Sequence, residues 1–166
     1  MGKSTPYHIA PASELGTSDE DLERLLHLVY VGEDFTDPEV GEVILSAPQV
    51  RARGEIISAV SPAGDLVGIV ILVTSQSLAR RFASENDAEL HFLAVDPDHR
   101  RHGLGRRLVV EVIERARSAG LRSMFLWTQP SMKSAHRLYA ACGFTRQRKL
   151  DFERDGREFW VLNLDL

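Results

Sequence analysis

A chain of 166 residues with 43% hydrophobic content is large enough to fold as one globular domain over its whole length, 1–166, with most of its apolar surface buried. A net charge of -4 argues against a general nucleic-acid binder, whose basic footprint would dominate the composition, and the longest apolar run, residues 66–73, is far too short to cross a bilayer. One cysteine, Cys142, has no partner for an internal disulfide, and the N-terminus lacks the apolar run of a secretory signal, so a cytoplasmic location is expected, with no membrane anchor and no nucleic-acid partner.

A first strand is expected around residues 7–9. Ser18 with Asp21 resembles a capping box, and Leu22, Leu25, Leu26 and Val29 recur on one face of the helix that follows, which should end near Tyr30. The loop VGEDFTD leads to Asp37 as N-cap with Pro38 at the first helical position, and Val40, Val43 and Ile44 should face inward from this short second helix. GEIISAV and DLVGIVILV flank Ser61, Pro62, Ala63 and Gly64, whose turn chemistry predicts an antiparallel hairpin with a central second strand. The polar stretch 75–87 reads as a loop, and AELHFLAV as the next strand, stopped by Asp96 and Pro97. Leu104, Leu108, Val112, Ile113 and Ala116 then recur at helical spacing, with Arg107/Glu111 and Glu111/Arg115 pairs outside and Gly120 at the C-terminal end. SMFLW reads as a buried strand, KSAHRLYAACGF as a helix ending at Gly143, and the tail as a hairpin turning at Asp155 and Gly156. The order β-α-α-β-β-β-α-β-α-β-β, without internal repeats, predicts an α/β (α+β) fold: a mixed sheet of about six to seven strands flanked by about four helices.

The strand ending in Val95, the turn holding Gly103, Leu104 and Gly105, and the helix beginning there together make an anion site, because the first amides of a helix have no internal acceptor. Glycine removes the side chain that would keep a bulky anion off those amides, and Arg100, Arg101, Arg106 and Arg107 raise the local potential. Phosphate is the natural guest. The turn alone leaves the phosphate ligand open: a Rossmann fingerprint would need glycine where Leu108 stands, and a P-loop would need Gly-Lys-Ser/Thr, which is absent.

RRHGLG (residues 100–105), following a strand that reads LAVDP, resembles the R/Q-x-x-G-x-G/A pyrophosphate loop of the GNAT-superfamily N-acetyltransferases. LYAACGF (residues 138–144) is similar to that family's L-Y-x-x-x-G-F helix end. The spacing of the motifs and the order of elements agree from about Gly54 to the C-terminus, and the N-terminal third agrees in its two-helix layout. The resemblance implies a GNAT-like fold, whose mixed sheet is mostly antiparallel, and acetyl-CoA as cosubstrate, without a metal, lying where two parallel strands splay, here those ending near Val95 and Trp127. It implies that the backbone amides of His102, Gly103, Leu104, Gly105 and Arg106, with Arg100 and Arg101 beside them, hold the pyrophosphate, and that Leu93 and Val95 hold the pantetheine arm. A bulge near these two residues would leave an N–H to polarise the thioester carbonyl and stabilise the oxyanion.

An alkyl amine with a pKa of about 10.4 is neutral in roughly one molecule in 2,500 at pH 7, so the acceptor must lose a proton. Glu89, six residues before Val95, stands where some family members carry the base, and His91 shares its strand face; either would act directly or through water. Tyr139 occupies the position of the family's general acid toward departing coenzyme A, although it also lies on an apolar stripe with Ala135, Leu138 and Cys142. One departure is visible: many members carry asparagine where Met132 stands, and Ser131 or Ser134 offers replacement hydrogen bonds. His99 and His102 have H-x-x-H spacing without a third ligand, so no metal site is expected, and Cys142 reads as a packed residue rather than a nucleophile. Glu33, Asp34 and Asp37 form an acidic loop in the region where family members often build the acceptor site, and so offer to receive a cationic amine. The expected activity is direct, acetyl-CoA-dependent transfer to the amine of a small molecule or peptide. The alternatives are a non-catalytic acyl-CoA-binding module and a transferase of a longer acyl group, the latter decided by pocket width near Leu93 and Phe125. The exposed edge of the terminal hairpin offers a surface for a homodimer.

Overall fold

Residues 66–73 form an unbroken apolar run because the strand they build is covered on both faces. In the computed structural model, which describes residues 6–166, this strand is β3 (Leu66–Thr74), and every residue but the last is buried. Residues 1–5, the start of the N-terminal stretch read above for a leader, lie outside the described residues. Val67, Val70 and Leu72 pack into one core cluster with Leu104, Leu108, Val112 and Ile113 of helix α5 (Leu104–Ser118). Ile69, Ile71 and Val73 pack into a second cluster with Leu22, Leu25 and Leu26 of helix α2 (Asp19–Leu26). A strand buried on both faces loses the period-two alternation that a half-exposed strand would show.

Around β3 the sheet runs β1 (His8–Pro11), β2 (Glu55–Val60), β3, β4 (Asp87–Val95), β5 (Ser123–Thr128), β8 (Arg157–Asp165) and β6 (Thr145–Arg146), with β7 (Phe152–Arg154) paired to β8 off this path. All pairings are antiparallel except β4 with β5. This is the mixed, mostly antiparallel sheet that the sequence predicts. The remaining helices are α1 (Ala12–Leu15), α3 (Pro38–Ile44), α4 (Ala47–Arg51) and α6 (Lys133–Ala141), and a π-helical turn, His27–Val31, continues α2. Among the described residues, no helix is long and apolar enough to cross a membrane.

The capping of α2 is as read from sequence: the Asp21 amide donates to Ser18 Oγ at 3.1 Å. Elsewhere the structure corrects the reading. Val43 does not face inward; it is 62% exposed, and Gly41 and Leu45 are the buried positions of that turn. Gly41 sits so close to the π turn that an added Cβ would lie 2.8 Å from Val31 Cγ2. Asp37 stands at the N-cap position of α3, but its side chain makes no cap bond and instead accepts from Arg157 Nη2 at 2.7 Å. The predicted order also lacks α1, α4 and β6, which span only 4, 5 and 2 residues. Elements this short complete too few periods to show a pattern.

Candidate active site

The parallel pair β4 and β5 is joined only over Asp87–Glu89 against Ser123–Phe125; beyond these positions the strands separate, as expected from Val95 and Trp127. β4 is also bulged on its other edge. Ile69 pairs with Ala94 but Ile71 pairs with His91, so β4 uses one residue more than β3 between the two positions. The extra residue falls at Phe92, whose φ of 47° is rare for an aromatic side chain. Its neighbours hold it there: the Tyr30 ring meets the Phe92 ring edge-on at 5.2 Å, the Arg53 guanidinium lies 4.6 Å from the ring centre, and Tyr30 Oη donates to the Leu93 carbonyl at 3.1 Å. The splay and the bulge open a cavity of about 780 Å³, whose wall includes Leu93 and Val95 on β4 and Trp127 on β5.

One end of this cavity is closed by residues 96–106. The Asp96 carboxylate accepts from the Asp98 amide at 2.9 Å and shapes a 3₁₀ turn over Pro97–His99. The chain then passes through left-handed conformations at Arg101 (φ 64°) and Gly103 (φ 73°), and Gly103 becomes the N-cap of α5. The first α-helical bond at this end runs from the Arg107 amide to the Gly103 carbonyl, so the amides of Leu104, Gly105 and Arg106 have no acceptor within their helix. Packing is close at Gly105 as well, since a Cβ there would lie 3.3 Å from Leu138 Cδ2 on α6 and that side chain would have to give way. Arg101, Gly103, Leu104, Gly105 and Arg106 all line the cavity. Arg100 also lines it but is engaged with protein: Nη2 reaches Glu33 at 2.6 Å and Nε donates to the Val95 carbonyl at 3.1 Å. His102 is not in the wall; its Nδ1 donates to the His99 carbonyl at 3.3 Å and its ring packs on Tyr7.

Helix α6 supplies the opposite wall. Tyr139 is 6% exposed, its ring packs edge-on against Phe144 at 5.8 Å, and the residue lines the cavity. Burial, with a smaller contribution from Cys142, holds the phenol protonated well above its ordinary range. Ser131, Met132 and Ser134 border the same cavity, so the stretch that departs from the family pattern lies beside the site. Cys142 is half-buried outside the wall, and burial raises its thiol, which fits a packed residue.

The two predicted base residues lie together but are differently placed. Glu89 is fully buried and outside the cavity wall. Its carboxylate accepts from the amides of Arg81, Phe82 and Ala83 at 2.8 to 3.0 Å, and so anchors the loop before β4. Burial pushes the Glu89 carboxyl up, but the hydrogen bonds from His91 and these amides together outweigh it and hold the group below its ordinary value. His91 does border the cavity. Arginine can only donate, so the 3.0 Å contact from Arg53 Nη1 makes His91 Nδ1 an acceptor, and Nε2 therefore carries the proton donated to Glu89 Oε1 at 2.9 Å. Burial, assisted by Arg53 and Arg154, lowers the His91 pKa against the opposing pull of Glu89, which keeps the ring neutral at pH 7. Glu89 thus does not reach the cavity, and both ring nitrogens of His91 are already engaged.

The acidic loop is engaged as well. Glu33 pairs with Arg100, while Asp34 and Asp37 pair with Arg157 Nη2 at 3.4 and 2.7 Å, so each of these carboxylates already has a cationic neighbour. Among the described residues no group of three or more His, Cys, Asp or Glu side chains is arranged to hold a metal ion. Arg53, Arg154 and Arg157, which carry no sequence signal, also border the cavity, as do Tyr30 and Trp127, which the sequence marks only as element ends. None belongs to a local motif; Tyr30, Arg53 and Trp127 come from separate parts of the chain, and Arg154 and Arg157 from the terminal hairpin.

Comparison with known proteins matches residues 21–144 to the model of the acetyltransferase (GNAT) family. The ribosomal protein bS18-alanine N-acetyltransferase of Escherichia coli K12 is 37% identical over 76 residues, covering 44% of this chain and 51% of that protein. Mycothiol acetyltransferase of Thermobispora bispora is 40% identical over 58 residues, covering 35% of this chain and 20% of that protein. The matched segment thus spans about half the length of the first relative and less of the second. Among solved structures, the Bacillus subtilis acetyltransferase in complex with CoA superposes with a TM-score of 0.68 at 23% identity, covering 96% of this chain and 99% of that one. An acetyltransferase of GNAT family from Staphylococcus aureus superposes with a TM-score of 0.71 at 18% identity, covering 95% and 99%. At these identities the structural likeness bears on the fold.

Proposed function

Because the chain belongs to the acetyltransferase (GNAT) family, we propose that it is an acetyl-CoA-dependent N-acetyltransferase that passes the acetyl group directly to an amine bound beside the donor. One observation carries this reading: the amide-bearing N-terminus of α5 and the Tyr139 hydroxyl border a single cavity opened by the splay of β4 and β5. Its volume of about 780 Å³ falls within the usual range of small-molecule sites.

In the reaction the amine nitrogen bonds to the acetyl carbonyl carbon, the C–S bond breaks, and sulfur leaves with the bonding pair and takes a proton. The amides of residues 102–106, with Arg101 and Arg106, bind the diphosphate. Arg100 holds the loop against Glu33 and the end of β4, and His102 braces the turn through the His99 carbonyl. Leu93 and Val95 border the arm's path, and Ser131 and Ser134 supply hydrogen bonds where Met132 stands. Tyr139, kept protonated by burial, donates to the departing sulfur. The amine proton passes to water in the open cavity, while Glu89 and His91 hold the wall at which the amine is presented. We place the reaction in the cytoplasm, a setting in keeping with the unpaired Cys142.

Calorimetry with acetyl-CoA, followed by an assay of acceptor-dependent thiol release across an amine panel, tests the proposal. Binding with turnover supports it. Binding without turnover on any amine would make the protein an acyl-CoA-binding module, and absence of binding at millimolar acetyl-CoA would remove both readings.

A further inference from the structure

Three arginines border the cavity outside the coenzyme loop: Arg53, Arg154 and Arg157. Arg157 is saturated by Asp34, Asp37 and the Gln129 side chain. The other two have no carboxylate partner among the described residues. Arg53 gives Nη1 to His91 and stacks on Phe92, but its Nε is buried with no hydrogen-bond partner, the one buried side-chain polar atom so left among the described residues. Arg154 has its guanidinium 5.3 Å from the centre of the Phe159 ring and makes no ion pair or hydrogen bond there, although Asp155 follows it in the turn. A buried guanidinium donor without an acceptor costs free energy that an incoming acceptor would recover. The two groups also feel one another, since burial first, and then the charge of Arg154, lower the Arg53 pKa.

Arg53 touches His91 and Phe92, Arg154 acts on His91 and lies by Phe152 and Phe159, and both His91 and Phe152 pack on Trp127; this is the side of the bulge where the amine enters under the acetyltransferase reading on which this inference rests. We propose that the acceptor is a small amine that carries a carboxylate, bound by Arg53 and Arg154 as counter-ions, with an apolar body against Phe35, Val40, Ile44 and Trp127. A guanidinium pairs with a carboxylate through parallel N–H bonds, a geometry that also fixes where the amino group points. This differs from the expectation of a cationic acceptor: the acidic loop that suggested it already has Arg100 and Arg157 as cationic neighbours, whereas Arg53 and Arg154 have no carboxylate partner among the described residues.

The test measures thiol release at saturating acetyl-CoA for L-phenylalanine, L-leucine and L-methionine, each beside its primary amide and its decarboxylated amine. The amino acid should exceed both neutral-ended partners in kcat/KM by roughly tenfold to a hundredfold, the range expected for charge-assisted hydrogen bonds. Arg154→Gln should raise KM for the amino acids and leave KM for the amides and the affinity for acetyl-CoA as in the wild type, and Arg154→Lys should restore part of the preference. Equal turnover of amino acid and amide, or acetylation of none of the three amino acids by protein that binds acetyl-CoA, overturns the acceptor assignment while leaving the acetyltransferase reading standing. Failure to bind acetyl-CoA overturns both.

Discussion

The two ends of the cavity are built by different means. At the donor end, a single stretch from Asp96 to Arg107 turns through Arg101 and Gly103 and presents main-chain amides at the start of α5. At the other end, where the acceptor is proposed to bind, Tyr30, Arg53, His91, Trp127 and Arg154 arrive from separate stretches of chain and line the wall. A site made of amides depends on backbone conformation, so only residues that set the conformation or guard the approach are critical. A site made of side chains depends on the identity of each, and can change its ligand through single substitutions while the fold stays constant.

The largest effect is expected where the two ends meet. Tyr139→Phe should lower kcat by about 10²- to 10³-fold, as for loss of a general acid, with melting temperature and acetyl-CoA affinity unchanged. Steady-state kinetics beside calorimetry would read this, and full turnover in the variant would reduce Tyr139 to a packing residue on Phe144. Next, Gly105→Val should weaken acetyl-CoA by about 100-fold, because the branched side chain collides with Leu138 and screens amides whose bonds to a charged group are worth about 1.5–3 kcal/mol each. Calorimetry measures it directly; wild-type affinity would mean that the amides do not hold the donor.

Glu89→Gln should act on the scaffold and spare the donor end. The buried acceptor of the Arg81, Phe82 and Ala83 amides loses its charge, and stability by urea denaturation should fall by about 1–3 kcal/mol with acetyl-CoA affinity preserved. The pH dependence follows from the same contacts. Both Glu89 and His91 have lowered pKa values in the folded protein, so the unfolded chain binds more protons as pH falls, and stability falls with it. The contribution of His91 is complete above its unfolded value of about 6.5 and declines as pH drops toward its folded value; that of Glu89 is complete above about 4.3 and is lost below. Wild-type stability should therefore fall below about pH 6.5 and more steeply below about pH 4.3, and Glu89→Gln should remove the steeper limb. A flat profile between pH 4 and 7 would contradict the buried pair.

The donor end was legible in the sequence because its signals are local. A glycine that takes a positive φ, a second glycine at the start of the helix, and an apolar period of one helix all lie within a few residues of one another. Even there the residue types promised more than they supply: four arginines were read as one basic cluster, yet Arg100 serves Glu33 and the Val95 carbonyl while Arg107 reaches the Tyr7 carbonyl at 3.4 Å. The pair Glu89 and His91 was legible as two titratable groups on one strand face. Which of them would border the cavity was not, because this depends on where the loop 75–86 turns its amides and on Arg53, which lies 38 residues away from His91 in the chain.

By itself the sequence determined the strand and helix periods, the glycine turn that opens α5 and the tyrosine-bearing helix end, all set by backbone preferences and short-range spacing. Tertiary structure alone decided the bulge at Phe92, the pairing of each arginine and carboxylate, and the two arginines, Arg53 and Arg154, that line the cavity without a carboxylate partner among the described residues. The physical reason is that hydrogen bonds and ion pairs are saturable and directional: the chemistry a charged residue can offer depends on which distant group has already taken its partner.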